Sequence, residues 1–160
     1  MRWTDILIII LQLYFILMNV TVERAYCAAP LVPGDSRFLI ADTINFCQQY
    51  NPLFQARPEW MVTATCASAY GFLPFYIIII FAALLNRWRA LQLPIAAFVG
   101  CKIYALGFYH YMEFTSSMPP AHLVPYFAVE GPYLLSLALL VISLHRSSGK
   151  AQVDERAKQK

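Results

Sequence analysis

The chain has 160 residues, of which 59% are hydrophobic and only 13% charged, with a formal net charge of +3. A soluble domain is about 45–50% apolar and about 25% charged, so this balance excludes an ordinary soluble domain. The positive excess is too small and too scattered for a nucleic-acid surface, which leaves a membrane protein of single-domain size.

Four apolar stretches, residues 6–22, 60–85, 93–112 and 123–144, are of the length that crosses a bilayer; a hydrocarbon core takes roughly 20 helical residues. Lipid offers no partner for backbone polar groups, so all four are predicted helices. "RAYCAA" at 24–29 has the small residues of a signal-peptide cleavage site. The apolar run before it, however, exceeds the about 7–15 residues of a signal core and has Asp5 as well as Arg2 in its flank, so it is read as a span. Arg2, Arg87, Arg89, Arg146, Lys150, Arg156, Lys158 and Lys160 share one side of that topology, whereas the other side carries Arg24, Arg37 and Arg57. The bias of basic residues towards the cytosol then predicts cytosolic termini.

The first connection, 23–59, is long. Within "SRFLIADTINFCQQY", Phe38, Ile40 or Ala41, Ile44 and Cys47 recur at helical spacing. They predict a short amphipathic helix that lies on the lumenal interface or caps the bundle. Pro52 and Pro58 bar a continuous helix through "NPLFQARPEW", and Trp60 stands where an interfacial anchor belongs. Cys27 and Cys47 share this compartment and could pair; Cys66 and Cys101 fall inside spans and read as small apolar packers. No cysteine or histidine spacing suggests a metal, and no cofactor is expected.

Pro74 falls within the second span, and Pro125 and Pro132 within the fourth. Each removes a backbone hydrogen bond, which is tolerable only against protein or a cavity. The expectation is an all-α, integral membrane four-helix bundle with kinked helices two and four and an internal lipid-facing pocket. Two charges lie deep in the spans. Lys102 is about nine residues from the cytosolic start of helix three, and Glu130 about seven from the lumenal start of helix four. At about 1.5 Å per residue both fall near mid-membrane. A charge facing lipid costs roughly 2.5–3.5 kcal/mol or more, so both are expected to face inward and to pair. Tyr104, Tyr109, His110 and Tyr111 cluster at the lumenal end of helix three, His110 as a hydrated interfacial residue. Glu113 and His122 are assigned to a solvated loop. Asn19 in "NVT" matches a glycosylation pattern but lies within the first span.

"NPLFQARPEW" followed by "FLPFY" resembles the signature of the EXPERA-domain membrane proteins, closest to the sigma-2 receptor branch. "GPYLL" at 131–135, "LYF" at 13–15 and Pro94 also fit, so the resemblance covers roughly residues 10–145. It implies an EXPERA-like domain over 1–145 in the endoplasmic reticulum membrane, multi-pass with both termini cytosolic, and similar to the emopamil-binding sterol isomerase. Residues 146–160 are read as a disordered basic cytosolic tail, whose "RAKQK" resembles a dibasic retrieval signal. The resemblance implies a pocket for sterols and amphiphilic amines. The family's aspartate before Pro-Leu is Asn51 here, a carboxylate position falls on Ser68, and a glutamine position on Phe72. Glu23 is the nearest match to an acid at the end of helix one; Tyr133 is retained, and Glu130 replaces a tyrosine. With Lys102, Val129 and Ala105, these make the candidate ligand-binding set.

Because several family acids are replaced, a neutral sterol held by apolar burial is favoured over a cationic amine. The leading expectation is a non-enzymatic sterol- or lipid-binding protein of cholesterol or lipid homeostasis and trafficking. Its candidate partners are a sterol or other amphiphilic lipid, membrane lipids, a lipid-transport membrane protein and a second copy of the chain, with no nucleic acid. One alternative is a sterol double-bond isomerase, for which Glu130 with His110, or with Lys102 and Tyr133, would supply acid and base. The other is a trafficking adaptor with a vestigial pocket.

Overall fold

The computed structural model describes residues 2–158, with side chains described as far as residue 149. The described residues are helical with no strand, and four helices are long and apolar enough to cross a membrane: Trp3–Ala28, Glu59–Leu84, Gln92–Thr115 and Leu123–Gly149. The first comprises α1 (Trp3–Met18), a π-helical turn (Asn19–Glu23) and α2 (Arg24–Ala28). The second comprises α5 (Glu59–Ala67), a π-helical turn (Ser68–Phe72) and α6 (Leu73–Leu84). Between them lie α3 (Ile40–Tyr50) and α4 (Pro52–Ala56); α7 (Gln92–Thr115) and α8 (Leu123–Lys158) complete the chain.

The spans close into a ring: α1 packs on α6 and α8, and α7 packs on α6 and α8. Ile8, Leu11 and Phe15 of α1 meet Tyr76, Ile79, Ala82 and Ala83 of α6 in one buried cluster with Phe98, Val99, Leu137 and Leu140. Small residues matter in this setting, because lipid supplies no hydrophobic drive for helix association and close backbone approach must supply dispersion instead. Leu7, Ile10, Leu13, Ile77 and Phe81 are exposed, as the bilayer-facing side of such a ring requires.

The 29–58 connection covers one end of the bundle. Ile40 and Ile44 of α3 bury against Val22, so the amphipathic helix caps the bundle. Phe38, assigned to its apolar face, is 70% exposed; α3 begins two residues later, after Leu39 at φ 64°, so Phe38 lies outside the helical stripe. Asn51 caps α4, Pro52 opens it, and Arg57 at φ 54° ends it before Pro58. The left-handed turn at Arg57 is strained for a residue with a Cβ. It is offset by the guanidinium, which donates to the Tyr26 carbonyl at 2.9 Å and lies 5.3 Å from the Tyr26 ring centroid.

The prolines act differently in the two spans. The π-helical turn of the second span directly precedes Pro74, which sits in the first turn of α6. Pro125 lies in the first turn of α8, where an N–H has no intrahelical partner in any case. The α8 helix runs unbroken through Pro132, and its backbone continues to Lys158. Residues 146–158 are thus helical where a disordered tail was expected; Ala151, Gln152, Glu155 and Ala157 are strong helix formers by type. The final residues of the "RAKQK" pattern lie outside the described residues.

Two cysteine expectations change. The disulfide joins Cys27 to Cys66, tying α2 to α5, and Cys47 is free and buried. The helix of the first span extends to Ala28, past the apolar run, which brings Cys27 level with a residue seven positions into the second span. Cys101 is exposed on the outer face of α7 instead of packed within the bundle.

Candidate functional site

A cavity of about 170 Å³ lies between the spans and the cap. Asn51, Ser68, Phe72, Lys102, Ala105, Val129, Glu130, Tyr133 and Glu23 all line it. They come from the α3–α4 junction, the two π-helical turns, α7 and α8. The remaining wall is mostly apolar, with Met18, Val22, Phe54 and Leu106 among its residues.

The π-helical turns explain how the first two spans reach this site. Widening a helix by one residue leaves backbone carbonyls misaligned, and such turns recur at functional sites. Here the two turns lie against each other. Asn19, fully buried in the first, donates to the Ser68 carbonyl of the second at 3.1 Å and to the Glu23 carboxylate at 3.1 Å. One amide therefore satisfies the freed carbonyl and orients the acid. It also places Asn19 well away from any glycosylation surface.

Lys102 is 7% exposed, but it forms no salt bridge with Glu130. Its ammonium donates to the Tyr76 hydroxyl at 3.3 Å and lies 4.7 Å from the Phe72 ring centroid, 5.0 Å from Tyr133 and 6.0 Å from Tyr76. Desolvated cation–π contacts of this kind each contribute about 2 kcal/mol. The expected ion pair is replaced by aromatic contacts: the Phe72, Tyr76 and Tyr133 side chains surround the Lys102 ammonium. Glu23 and Glu130 share the cavity wall with it. The cage itself is held from behind, since Tyr133 stacks on Phe15 with centroids 4.3 Å apart and planes 10° from parallel.

At the capped end, Asn51 donates to the Tyr109 hydroxyl at 3.1 Å. Glu113, assigned from sequence to a solvated loop, is fully buried in the last turn of α7, and neither carboxylate oxygen has a hydrogen-bond partner. The signal was present: Lys102, Leu106, Tyr109 and Glu113 follow at intervals of four, three and four, one continuous helical stripe. His110 is also not a hydrated anchor. Its Nδ1 is hydrogen-bonded to the Tyr126 hydroxyl at 3.0 Å, and its ring packs on Phe114 and Phe127. His122 is exposed, as expected. Burial in the cavity wall pushes the Cys47 thiol up to about 12, which makes it a poor nucleophile at neutral pH.

Of the groups considered for acid–base chemistry, Lys102, Glu130 and Tyr133 meet at the cavity, while His110 does not line it. Residues that sequence reasoning did not assign to the site are Asn19, Cys47, Tyr76 and Tyr109. Comparison with family models, curated proteins and solved structures finds no match to this chain.

Proposed function

We propose that this is a multi-pass endoplasmic-reticulum membrane protein with cytosolic termini, whose cavity binds a sterol or other amphiphilic lipid in cholesterol or lipid homeostasis and trafficking. The observation that carries this reading is the convergence of nine residues, chosen on the EXPERA resemblance and on intramembrane charge, in one cavity wall. That wall pairs an apolar surface with a donor, Lys102, and acceptors, Glu23 and Glu130. A sterol hydroxyl needs both a donor and an acceptor when it leaves water. The cavity volume, about 170 Å³, is similar to the roughly 150 Å³ that holds a benzene. It accommodates the hydroxyl-bearing ring, and in this reading the rest of a sterol extends between the spans towards lipid.

Photo-crosslinking with a sterol probe in membranes tests the proposal. Label on peptides of α7 and α8 that unlabelled sterol competes away is the expected result. Label that excess sterol leaves unchanged would count against it.

A further inference from the structure

Lys102 is the one basic side chain among the described residues that line the cavity, and no carboxylate neutralises it by direct contact. Its amine is instead held between the Phe72, Tyr76 and Tyr133 rings, beside the Tyr76 hydroxyl, with Glu23 and Glu130 on the same cavity wall. A lysine taken out of water in an apolar pocket is the arrangement from which imine chemistry starts. Reversible contact with a hydroxyl does not require an aromatic cage around the amine. A fixed cation on a bound ligand does benefit from one, because ring faces stabilise positive charge where water is absent.

We propose that Lys102 is a covalent capture site for apolar aldehydes of lipid origin, which it holds as a protonated imine. The inference rests on the reading of the cavity as a lipid site and adds a ligand class and a bond. Transfer of a proton from the ammonium to Glu23 or Glu130, relayed by a water in the cavity because neither carboxylate touches the amine, frees the nitrogen lone pair. That pair attacks the aldehyde carbon and forms the C–N bond, and the carbonyl oxygen takes up a proton as the amine loses one. Loss of that oxygen as water, with the last N–H proton, leaves the C=N bond. The carboxyl group then returns its proton to the imine nitrogen. The products are one iminium and one water, with no net oxidation or reduction. The iminium stays within the three rings, with a carboxylate as its counter-ion, and a slender chain suits a cavity of about 170 Å³.

The lysine inventory makes the test clean, since the chain has only Lys102, Lys150, Lys158 and Lys160. Full-length protein in lipid nanodiscs is incubated with all-trans-retinal or a long-chain enal, trapped with cyanoborohydride, digested and mapped by mass spectrometry. The expected result is a reduced adduct on Lys102 that exceeds any on the tail lysines and is lowered by excess sterol. Lys102→Arg keeps the charge, cannot form an imine, and loses this adduct while the tail labelling stays. Labelling confined to the tail, or equal with and without sterol, overturns the proposal, whether or not the arginine variant folds. A sterol photo-probe run on the same sample separates the two readings. Sterol label without a Lys102 adduct sinks the imine alone; absence of both sinks the lipid cavity as well.

Discussion

Asn51 joins the cap to the bundle through the Tyr109 hydroxyl, which accepts from its Nδ2 at 3.1 Å, while its Oδ1 accepts from the Phe54 backbone at 3.0 Å. A single side chain thus starts α4 and fastens it to α7. Asn51→Ala removes a helix cap, worth about 1 kcal/mol, and strips a buried hydroxyl of its partner, about 1–3 kcal/mol more. Asn51→Asp keeps the cap and lets the Tyr109 hydroxyl donate instead. Denaturant unfolding in detergent, followed by tryptophan fluorescence, is expected to show a clear loss for alanine and a smaller one for aspartate. Equal stability for all three chains would remove the cap-to-bundle link.

Between spans one and four, Gln12 donates to the Ser136 hydroxyl at 2.8 Å with both residues buried, and the Gln12 carbonyl oxygen has no partner. Interhelical hydrogen bonds in membranes average about 0.6 kcal/mol and reach about 1.7. The asymmetry of removal matters more than the mean. Ser136→Ala leaves the whole glutamine amide unsatisfied and is expected to destabilise by about 1–2 kcal/mol. Gln12→Leu removes the orphaned carbonyl with its partner and is expected to be near neutral. Steric-trap or denaturant measurements on the two single variants and the double variant give the coupling directly.

The Cys27–Cys66 link is tested by counting thiols. Alkylation of the denatured, unreduced chain is expected to add two labels, on Cys47 and Cys101, out of the four cysteines present. Prior reduction raises the number to four. Cys66→Ala frees Cys27 and is expected to lower stability by about 2–4 kcal/mol, typical for a bridge that closes a loop of this kind. A Cys27–Cys47 peptide in the unreduced digest would reverse the assignment.

What was legible in the sequence, and what was not, follows from the dimension each feature needs. Span lengths follow from hydropathy, because a bilayer imposes its thickness on any chain that crosses it. The α3 helix followed from the spacing of Ile40, Ile44 and Cys47, because one buried face needs only that period. The pairing of Lys102 with Glu130 failed because depth along a helix says nothing about angle around it. Phe72 and Tyr76 of the second span supply the nearest surface to Lys102, and no local pattern announces their register. Cys66 was misread for the same reason, since its relation to Cys27 depends on how far the first helix outruns its apolar core. Glu113 is a different failure. Its stripe is readable, but the apolar run that marks the span ends at Met112, three residues before α7 ends at Thr115.

Cys47 supplies a pH test outside the spans. Its folded value, about 12, lies above the 9.0 of an unburied thiol. A group raised on folding stabilises fully below its unfolded value and loses that contribution as pH rises towards the folded one. Between pH 9 and about 12 the unfolded thiol ionises while the folded thiol does not. The stability advantage of the wild type over Cys47→Ala is therefore expected to hold constant to about pH 8.5 and then shrink, by up to about 1.4 kcal/mol per pH unit. The difference between the two chains cancels the tyrosines that titrate in the same range. A gap that widened with pH would show that burial does not govern this thiol.

The cavity and its charge can be separated by two substitutions. Ala105 lies on the cavity wall one turn from Lys102. Ala105→Phe adds volume where space exists, so the chain is expected to keep its stability within about 1 kcal/mol and to lose competable sterol crosslinking. Lys102→Met keeps most of the side-chain volume but removes the donor. It leaves Glu23 and Glu130 on the cavity wall without a cation between them. Sterol affinity is expected to fall by about tenfold, the value of one hydrogen bond of about 1.4 kcal/mol. Lys102→Met combined with Glu130→Gln returns the cavity to its original net charge, since one carboxylate is removed with the one cation, so the double variant is expected to be at least as stable as Lys102→Met while the affinity stays low. If Ala105→Phe kept full competable label, the ligand would sit elsewhere. If Lys102→Met kept full affinity with the cavity still occupied, apolar burial alone would hold the ligand and the polar end of the site would have no part in recognition.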